Sequence, residues 1–352
     1  MLLRRSTILR HSTNELAERA EATLDEWRTP TLPRRGRLLA AALIGTVVTV
    51  GALWLLGSTV DIGQTVGLLR KADPLLLGAA LLPVAVSMIV RSWRFAVVLG
   101  PISANGRVPV RAVAPLVLAS YAINSLVPMR IGDLMRAAVG SRRLSIGFPE
   151  ALGSVGLERM LDVATLALIP LVVSVGGNVP SWLSGVATAL LLVALVVGVG
   201  AYALRPVARR LGVTPWTWVA RFVEGLRASP HTVGAAMALS LLAWFLDGLT
   251  FWVTARALDI DISWSAATLI AVASGLGGSL PGAPAAIGSF ELAGTAAGVA
   301  MGIDSAGALG LVVMGHLLTV VPILFAGLVA CAMMGIGWNT LGRGAIMREG
   351  EG

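Results

Sequence analysis

The stretch Ser125-Leu-Val-Pro-Met-Arg130-Ile-Gly-Asp133-Leu-Met-Arg136 interrupts an apolar run with proline, glycine and charge together. A second interruption reads Leu280-Pro-Gly-Ala-Pro284-Ala-Ala-Ile-Gly288-Ser-Phe-Glu291. The apolar arms before them, 112–127 and 265–280, would each make about 24 Å of helix at about 1.5 Å per residue. That is short for a hydrocarbon core of about 30 Å. Irregular backbone at such depth survives only against protein or a water-filled cavity. The two stretches therefore predict re-entrant helical hairpins, and a pair of broken segments in matching halves points to a transporter's midplane site.

The surrounding chain has the composition such hairpins need. Its 352 residues are 56% hydrophobic and 13% charged, with a mean hydropathy of +0.83. Too little charge is present to cover a soluble domain, so the expected class is an all-α polytopic membrane protein. Apolar runs at 38–57, 75–99, 151–175, 182–204, 232–257 and 306–336 each suit a through-spanning helix. Six spans and two hairpins result. Should the hairpin arms cross fully, the count rises and parity is kept.

Residues 1–37 contain no apolar run, so 38–57 reads as a start-transfer helix rather than a signal peptide. With the N-terminus inside, Arg34, Arg35, Arg37, Arg107, Arg111, Arg142, Arg143, Arg205, Arg209, Arg210, Arg221, Arg227, Arg343 and Arg348 fall on cytoplasmic segments. Only Arg70, Lys71 and Arg256 fall outside. This asymmetry predicts both termini in the cytoplasm, and the Arg- and Ala-rich composition suggests a bacterial plasma (inner) membrane. The net charge of +8 is spread over loops that meet anionic headgroups, and does not indicate nucleic acid. Cys331 is single, which leaves no disulfide or metal cluster.

The expected organisation is a cytoplasmic tail over 1–37, a membrane domain over 38–336 and a second tail over 337–352. In the first tail, Ser12-Thr-Asn-Glu15 reads as a capping box, with Leu16, Ala20, Leu24 and Trp27 on one helical face. That helix packs on the protein or headgroups, or docks a partner. Over 205–231, Trp216, Trp218, Val219, Phe222, Val223 and Leu226 interleave with Arg221, Glu224 and Arg227, as in an interfacial helix. The first hairpin should approach from the cytoplasm and the second from outside, the arrangement an inverted repeat produces. Residue similarity between the halves does not by itself confirm one.

Ionisable groups within apolar segments cluster rather than scatter. Arg130, Asp133 and Arg136 stand at successive i, i+3 spacings, so the carboxylate can bridge two guanidiniums. The net positive trio suits an anion, and a phosphate in particular through forked hydrogen bonds. Asn124 precedes the break and could donate to the same ligand. Glu158, Arg159 and Asp162 form a net negative group in the next span, able to balance the first or to couple a cation. Both groups could instead be structural ion pairs. Arg91 and Arg94 flank Trp93 near the cytoplasmic end of a span, where they would snorkel to headgroups. Pro281, Pro284, Gly288 and Glu291 shape the second hairpin; Glu291 handles a ligand or proton, or caps the returning helix. Asp247 and His316 read as hydrogen-bonded interior groups.

Together these residues resemble a known family. Pro128-Met-Arg130-Ile-Gly132-Asp133-Leu-Met-Arg136 resembles the P-x-R-x-G-E-x-x-R signature of the lysylphosphatidylglycerol synthase transmembrane (flippase-like) family. Glu158-Arg159-Met-Leu-Asp162 is similar to its E-R-x-x-D element, and Pro284-Ala-Ala-Ile-Gly288-Ser-Phe-Glu291 to its P-G-G-x-G-x-x-E element. Asp133 replaces a glutamate, and Ala285 and Ala286 replace two glycines. The resemblance implies a stand-alone member lacking the aminoacyl-transferase domain, one that translocates or handles a polar phospholipid or lipid-linked glycan. No cofactor is expected. A scaffold for a separate cytoplasmic synthase or glycosyltransferase is the alternative. An enzyme is not expected: Gly153-Ser-Val-Gly156 lacks the rhomboid Gly-x-Ser-Gly order, and the three histidines are far apart.

Overall fold

The computed structural model describes residues 35–127, 130–174, 179–193, 196, 217–226, 228–279 and 284–336, and among these every regular element is helical. The N-terminal segment 12–27, Pro281 and the tail 337–352 lie outside the described residues. Helix α1 (Arg35–Thr59) leads into α2 (Ile62–Arg70), bent by 88° from it. Asp61 starts α2 by accepting the Gln64 N–H at 3.0 Å.

Two longer helices begin with the same device. Asp73 caps α3 (Pro74–Leu99), and Ser229 caps α9 (Pro230–Ala257), each with proline at the first helical position. The Asp73 N–H donates to the Ala257 carbonyl at 2.8 Å, which ties the start of α3 to the end of α9. Further along, Arg91 meets Asp247 and Arg94 meets Ser240, so the two helices run antiparallel.

Each is followed by a short helix, a break, a second short helix and a long one. After α3 come α4 (Val110–Leu126), α5 (Ile131–Leu144) and α6 (Phe148–Ser174). After α9 come α10 (Trp264–Gly277), α11 (Ser289–Ala300) and α12 (Ser305–Met334). Helices α4 and α5 pack together, as do α10 and α11, so both predicted hairpins are present. Their first arms, of 17 and 14 residues, reach about 26 and 21 Å at 1.5 Å per residue.

The halves share one register. Residues 156 positions apart correspond throughout: Pro74 with Pro230, Gly132 with Gly288, Arg91 with Asp247. Pro128-Met-Arg-Ile-Gly132 falls on Pro284-Ala-Ala-Ile-Gly288. Arg130 (φ 52°) falls on Ala286 (φ 58°), both left-handed. With the antiparallel α3 and α9, this is the inverted repeat that residue similarity left unconfirmed. Similarity is faint because only the backbone-shaping residues are kept. Ser87 touches the Ala243 carbonyl at 3.5 Å and Arg91 pairs with Asp247 at 2.5 Å. Corresponding positions that touch each other lie on the axis relating the halves.

Between the halves run α7 (Ser181–Val193) and α8 (Thr217–Gly225). Helix α8 docks on the base of α6, where Ser154 Oγ donates to the Gly225 carbonyl at 3.3 Å and Arg221 pairs with Glu150 at 3.4 Å. Among the described residues, Pro74–Ile102, Pro230–Ala257 and Ser305–Met334 are long and apolar enough to cross a bilayer, and the bent α1–α2 pair gives a fourth candidate. Helix α6 has 27 residues but carries Glu150, Glu158, Arg159 and Asp162. Large apolar side chains such as Leu82, Ile89 and Phe325 stand exposed on the outer faces. The protein is an all-α membrane protein.

Candidate functional site

Helix α3 carries Ser87, Arg91 and Arg94 on one stripe, and that stripe faces inward. The expectation that Arg91 and Arg94 snorkel to headgroups is overturned: both are buried, Arg94 to 1% exposure. Arg94 Nε donates to Glu158 Oε1 at 3.1 Å and its Nη1 to Ser240 Oγ at 2.7 Å, while both of its terminal nitrogens engage Asp162. Arg91 Nη2 donates to Asp247 Oδ2 at 2.5 Å, and Ser87 Oγ donates to Asp247 Oδ1 at 2.8 Å. Helix-end hydropathy could not reveal this, because the partners lie on α6 and α9. The i, i+4, i+7 stripe Ser87–Arg91–Arg94 was the available signal.

The motif residues of the first half complete the same network. Arg136 Nη2 lies 2.7 Å from Glu158 Oε2 and 3.7 Å from Asp133 Oδ1, with its guanidinium 4.3 Å from the centre of the Phe95 ring. Arg159 bridges Asp133 (3.2 Å) and Asp162 (3.0 Å). Asp133 also accepts from Ser120 Oγ at 3.1 Å and from the Asn124 amide at 3.4 Å. Asn124 Oδ1 in turn accepts the Gly132 N–H at 2.8 Å, which latches the first turn of α5 onto α4. A Cβ on Gly132 would fall 2.1 Å from the Ser120 carbonyl oxygen, so only glycine permits that approach.

Arg91, Arg94, Arg136 and Arg159 thus face Asp133, Glu158, Asp162 and Asp247, four cations against four anions. Charges taken this far out of water need such mutual pairing. Three expectations change. Asp133 does not bridge Arg130 and Arg136; its partners are Arg159 and Arg136. Arg136 is 1% exposed and committed to Glu158, too deep to receive a headgroup phosphate. Asn124, also expected to donate to the ligand, uses its amide on Asp133 and Gly132.

Arg130 is left over. It stands exposed at the tip of the first hairpin, in the left-handed region, and its Nη2 donates to the Gly278 carbonyl of the second hairpin at 3.0 Å. No ion pair with a carboxylate is formed by Arg130 among the described residues. Arg159, the most exposed guanidinium of the network at 29%, repels it. The charged cluster therefore opens outward at Arg130 and Arg159, where the two hairpin tips meet.

The second hairpin is built differently. Glu291 Oε2 accepts the Gly288 N–H at 2.7 Å and so caps α11, while Oε1 lies 2.5 Å from His316 Nδ1. The His316 ring stacks on Phe290 at 4.1 Å. Gly288 has φ 93°, which favours glycine, and Ala285 and Ala286 hold left-handed backbone without it. Thr49 of α1 donates to the Ile287 carbonyl at 3.1 Å, and Pro284 begins the short turn beneath. Glu291 and His316 were expected separately; the fold pairs them.

Comparison with known proteins follows the same ground. The family described as lysylphosphatidylglycerol synthase TM region matches residues 42–327. The chain is 27% identical to Glycosyltransferase AglD of Haloferax volcanii over 82% of its own length and 53% of that protein's. It is also 25% identical to UPF0104 membrane protein MJ1078 of Methanocaldococcus jannaschii, over 58% of this chain and 91% of that one. The chain thus spans about half of the glycosyltransferase it matches.

Proposed function

The chain belongs to the lysylphosphatidylglycerol synthase TM region family, and from that premise we propose that it moves a polar, anionic-headgroup lipid between the leaflets of a plasma membrane. Arg130 carries the reading. It is a guanidinium without a carboxylate partner, held at the junction of two half-membrane hairpins. Arg130 and Arg159 together would receive a phosphate by charge-assisted hydrogen bonds. The four-by-four ion-pair network behind them would hold that geometry rather than bind the lipid. Arg136, Asp133, Asn124, Glu158 and Asp162 then act through Arg159 and the packing of α4–α6. No group among them is arranged for covalent chemistry, so the protein is proposed as a carrier and not an enzyme, with its termini on the cytoplasmic side.

The test is reconstitution. Purified protein in vesicles containing head-labelled phosphatidylglycerol should move the label between leaflets, and Arg130→Ala should slow it at least about tenfold, the loss of one charge-assisted contact. Arg130→Lys should recover part of the rate. An Arg130→Ala protein that moves lipid like the wild type would defeat the site assignment.

A second reading is favoured by one observation: the matched region forms only about half of a protein named as a glycosyltransferase. On that reading the membrane domain is an accessory to a separate glycan-handling enzyme, recruited through the N-terminal segment. Deleting residues 1–33 would then abolish association with such an enzyme and leave lipid movement unchanged.

A further inference from the structure

All described arginines of the buried network keep their charge at every relevant pH. The second half has a different buried pair, and it is one that can change charge. Glu291 and His316 are each 8% exposed. The Glu291 carboxylate is engaged by His316, the Gly288 N–H and its own backbone N–H. Imidazole is the side chain whose ordinary titration falls nearest physiological pH.

The elements packed around the pair supply no competing charge. Among described residues, α10, α7 and the 46–59 part of α1 contain no ionisable side chain, and α12 has only His316 besides Cys331 near its far end. Asp247 of α9 is taken by Arg91 of α3, Arg94 of α3 by Glu158 and Asp162, and Tyr121 of α4 lies against Arg91. Arg111 of α4, His231 and Arg256 of α9 and Arg70 of α2 stand at helix ends. Arg130 reaches this hairpin at the Gly278 carbonyl. On the same α10–α11–α12 seam, Ser274 Oγ and Thr295 Oγ1 are buried without a hydrogen-bond partner. Thr295 is one turn beyond Glu291, and a Cβ at Gly294 would fall 2.1 Å from Ser274 Oγ. Unpartnered hydroxyls in such a seam are costly unless something uses them.

From this arrangement we propose that Glu291 and His316 form a proton-binding site whose occupancy sets how firmly the second hairpin is held to α12. In the occupied state an imidazolium faces the carboxylate and the pair is neutral. Loss of the proton from Nε2 leaves a neutral imidazole, still donating from Nδ1, and a net charge of −1. That charge has no counterion in the seam, so α11 loosens toward water, and the Ser274 and Thr295 hydroxyls receive the water or proton that passes. The proton leaves to, and returns from, bulk water; no other bond changes. Coupling of this proton to lipid movement rests on the transport reading above, whereas the site itself does not.

The first experiment uses the full chain in nanodiscs, with ¹⁵N-histidine spectra and amide exchange over 288–295 followed from about pH 5 to about pH 9, across the histidine range. The His316 signal should shift across this range, and protection factors over 288–295, which divide out the base catalysis of amide exchange itself, should fall on the alkaline side. In Glu291→Gln the protection factors should become independent of pH. A wild-type protein whose protection ignores pH, or a Glu291→Gln protein whose protection still responds, overturns the site. The second imposes a pH difference of one unit across vesicles holding labelled phosphatidylglycerol. One proton per lipid gives about a tenfold leaflet imbalance, lost in His316→Gln. Lipid movement that ignores the gradient overturns the coupling and leaves transport standing. No lipid movement, with pH-dependent protection intact, upholds the proton site and removes the transport reading instead.

Discussion

The two hairpins occupy corresponding places in an inverted repeat and share a Pro-x-x-Ile-Gly core, yet their electrostatics are opposite. The first is anchored in a network of four guanidiniums and four carboxylates, none of which changes charge easily. The second has a single carboxylate and a single imidazole. The shared part fixes the backbone: a proline before the break, left-handed backbone two residues later, a glycine where a neighbouring main chain passes. The divergent part fixes what each hairpin does once made. A rigid charged half beside a softer, titratable half is a division that identical repeats could not have.

The comparison can be broken most severely inside the network. Arg94→Ala would remove the cation that Glu158 and Asp162 share, leaving them with Arg136 and Arg159 alone, and should cost about 3–5 kcal/mol. Thermal unfolding in detergent would read it, and adding Glu158→Gln with Asp162→Asn should return part of the loss. Reversing one axial charge, Arg91→Asp, should destabilise comparably. The exchange Arg91→Asp with Asp247→Arg should return part of the stability, since the ion pair is re-formed while the Tyr121 and Trp244 contacts of Arg91 are lost. A double variant no better than the singles would mean that the axial pair is not a self-contained contact.

Milder changes sharpen the contrast between the tips. Gly132→Ala drives a methyl into the Ser120 carbonyl and should cost about 1–3 kcal/mol by overpacking. Ala286→Gly relieves left-handed alanine and should gain up to about 1 kcal/mol. Arg130→Ala should change unfolding by less than about 0.5 kcal/mol, as expected of an exposed side chain, while abolishing most lipid movement. Stability and transport should therefore separate at Arg130 and travel together at Arg94.

Much of the fold was legible in the sequence. All six apolar runs fall on helices over their described parts, the run at 182–204 through α7, and both hairpins declared themselves through proline, glycine and charge placed too early for a full crossing. The repeat was suggested by the opposite entry of the hairpins but not by residue similarity, because three kept residues in five do not rise above the background of an alanine-, valine- and glycine-rich chain. The motif residues were recognisable but their partners were not. Local spacing suggested that Asp133 bridges Arg130 and Arg136; the fold keeps the Arg136 arm at 3.7 Å, replaces Arg130 with Arg159 and sends Arg136 on to Glu158. Arg91 and Arg94 were misread for a related reason. Hydropathy along one helix records depth but not direction, and the acids that neutralise them come from α6 and α9.

The axial pair of Arg91 and Asp247 has a corollary. Two copies of the first half, associating about the same axis, would set arginine against arginine; two copies of the second would set aspartate against aspartate. Neither half can therefore self-associate as this chain folds. Each is the obligate complement of the other.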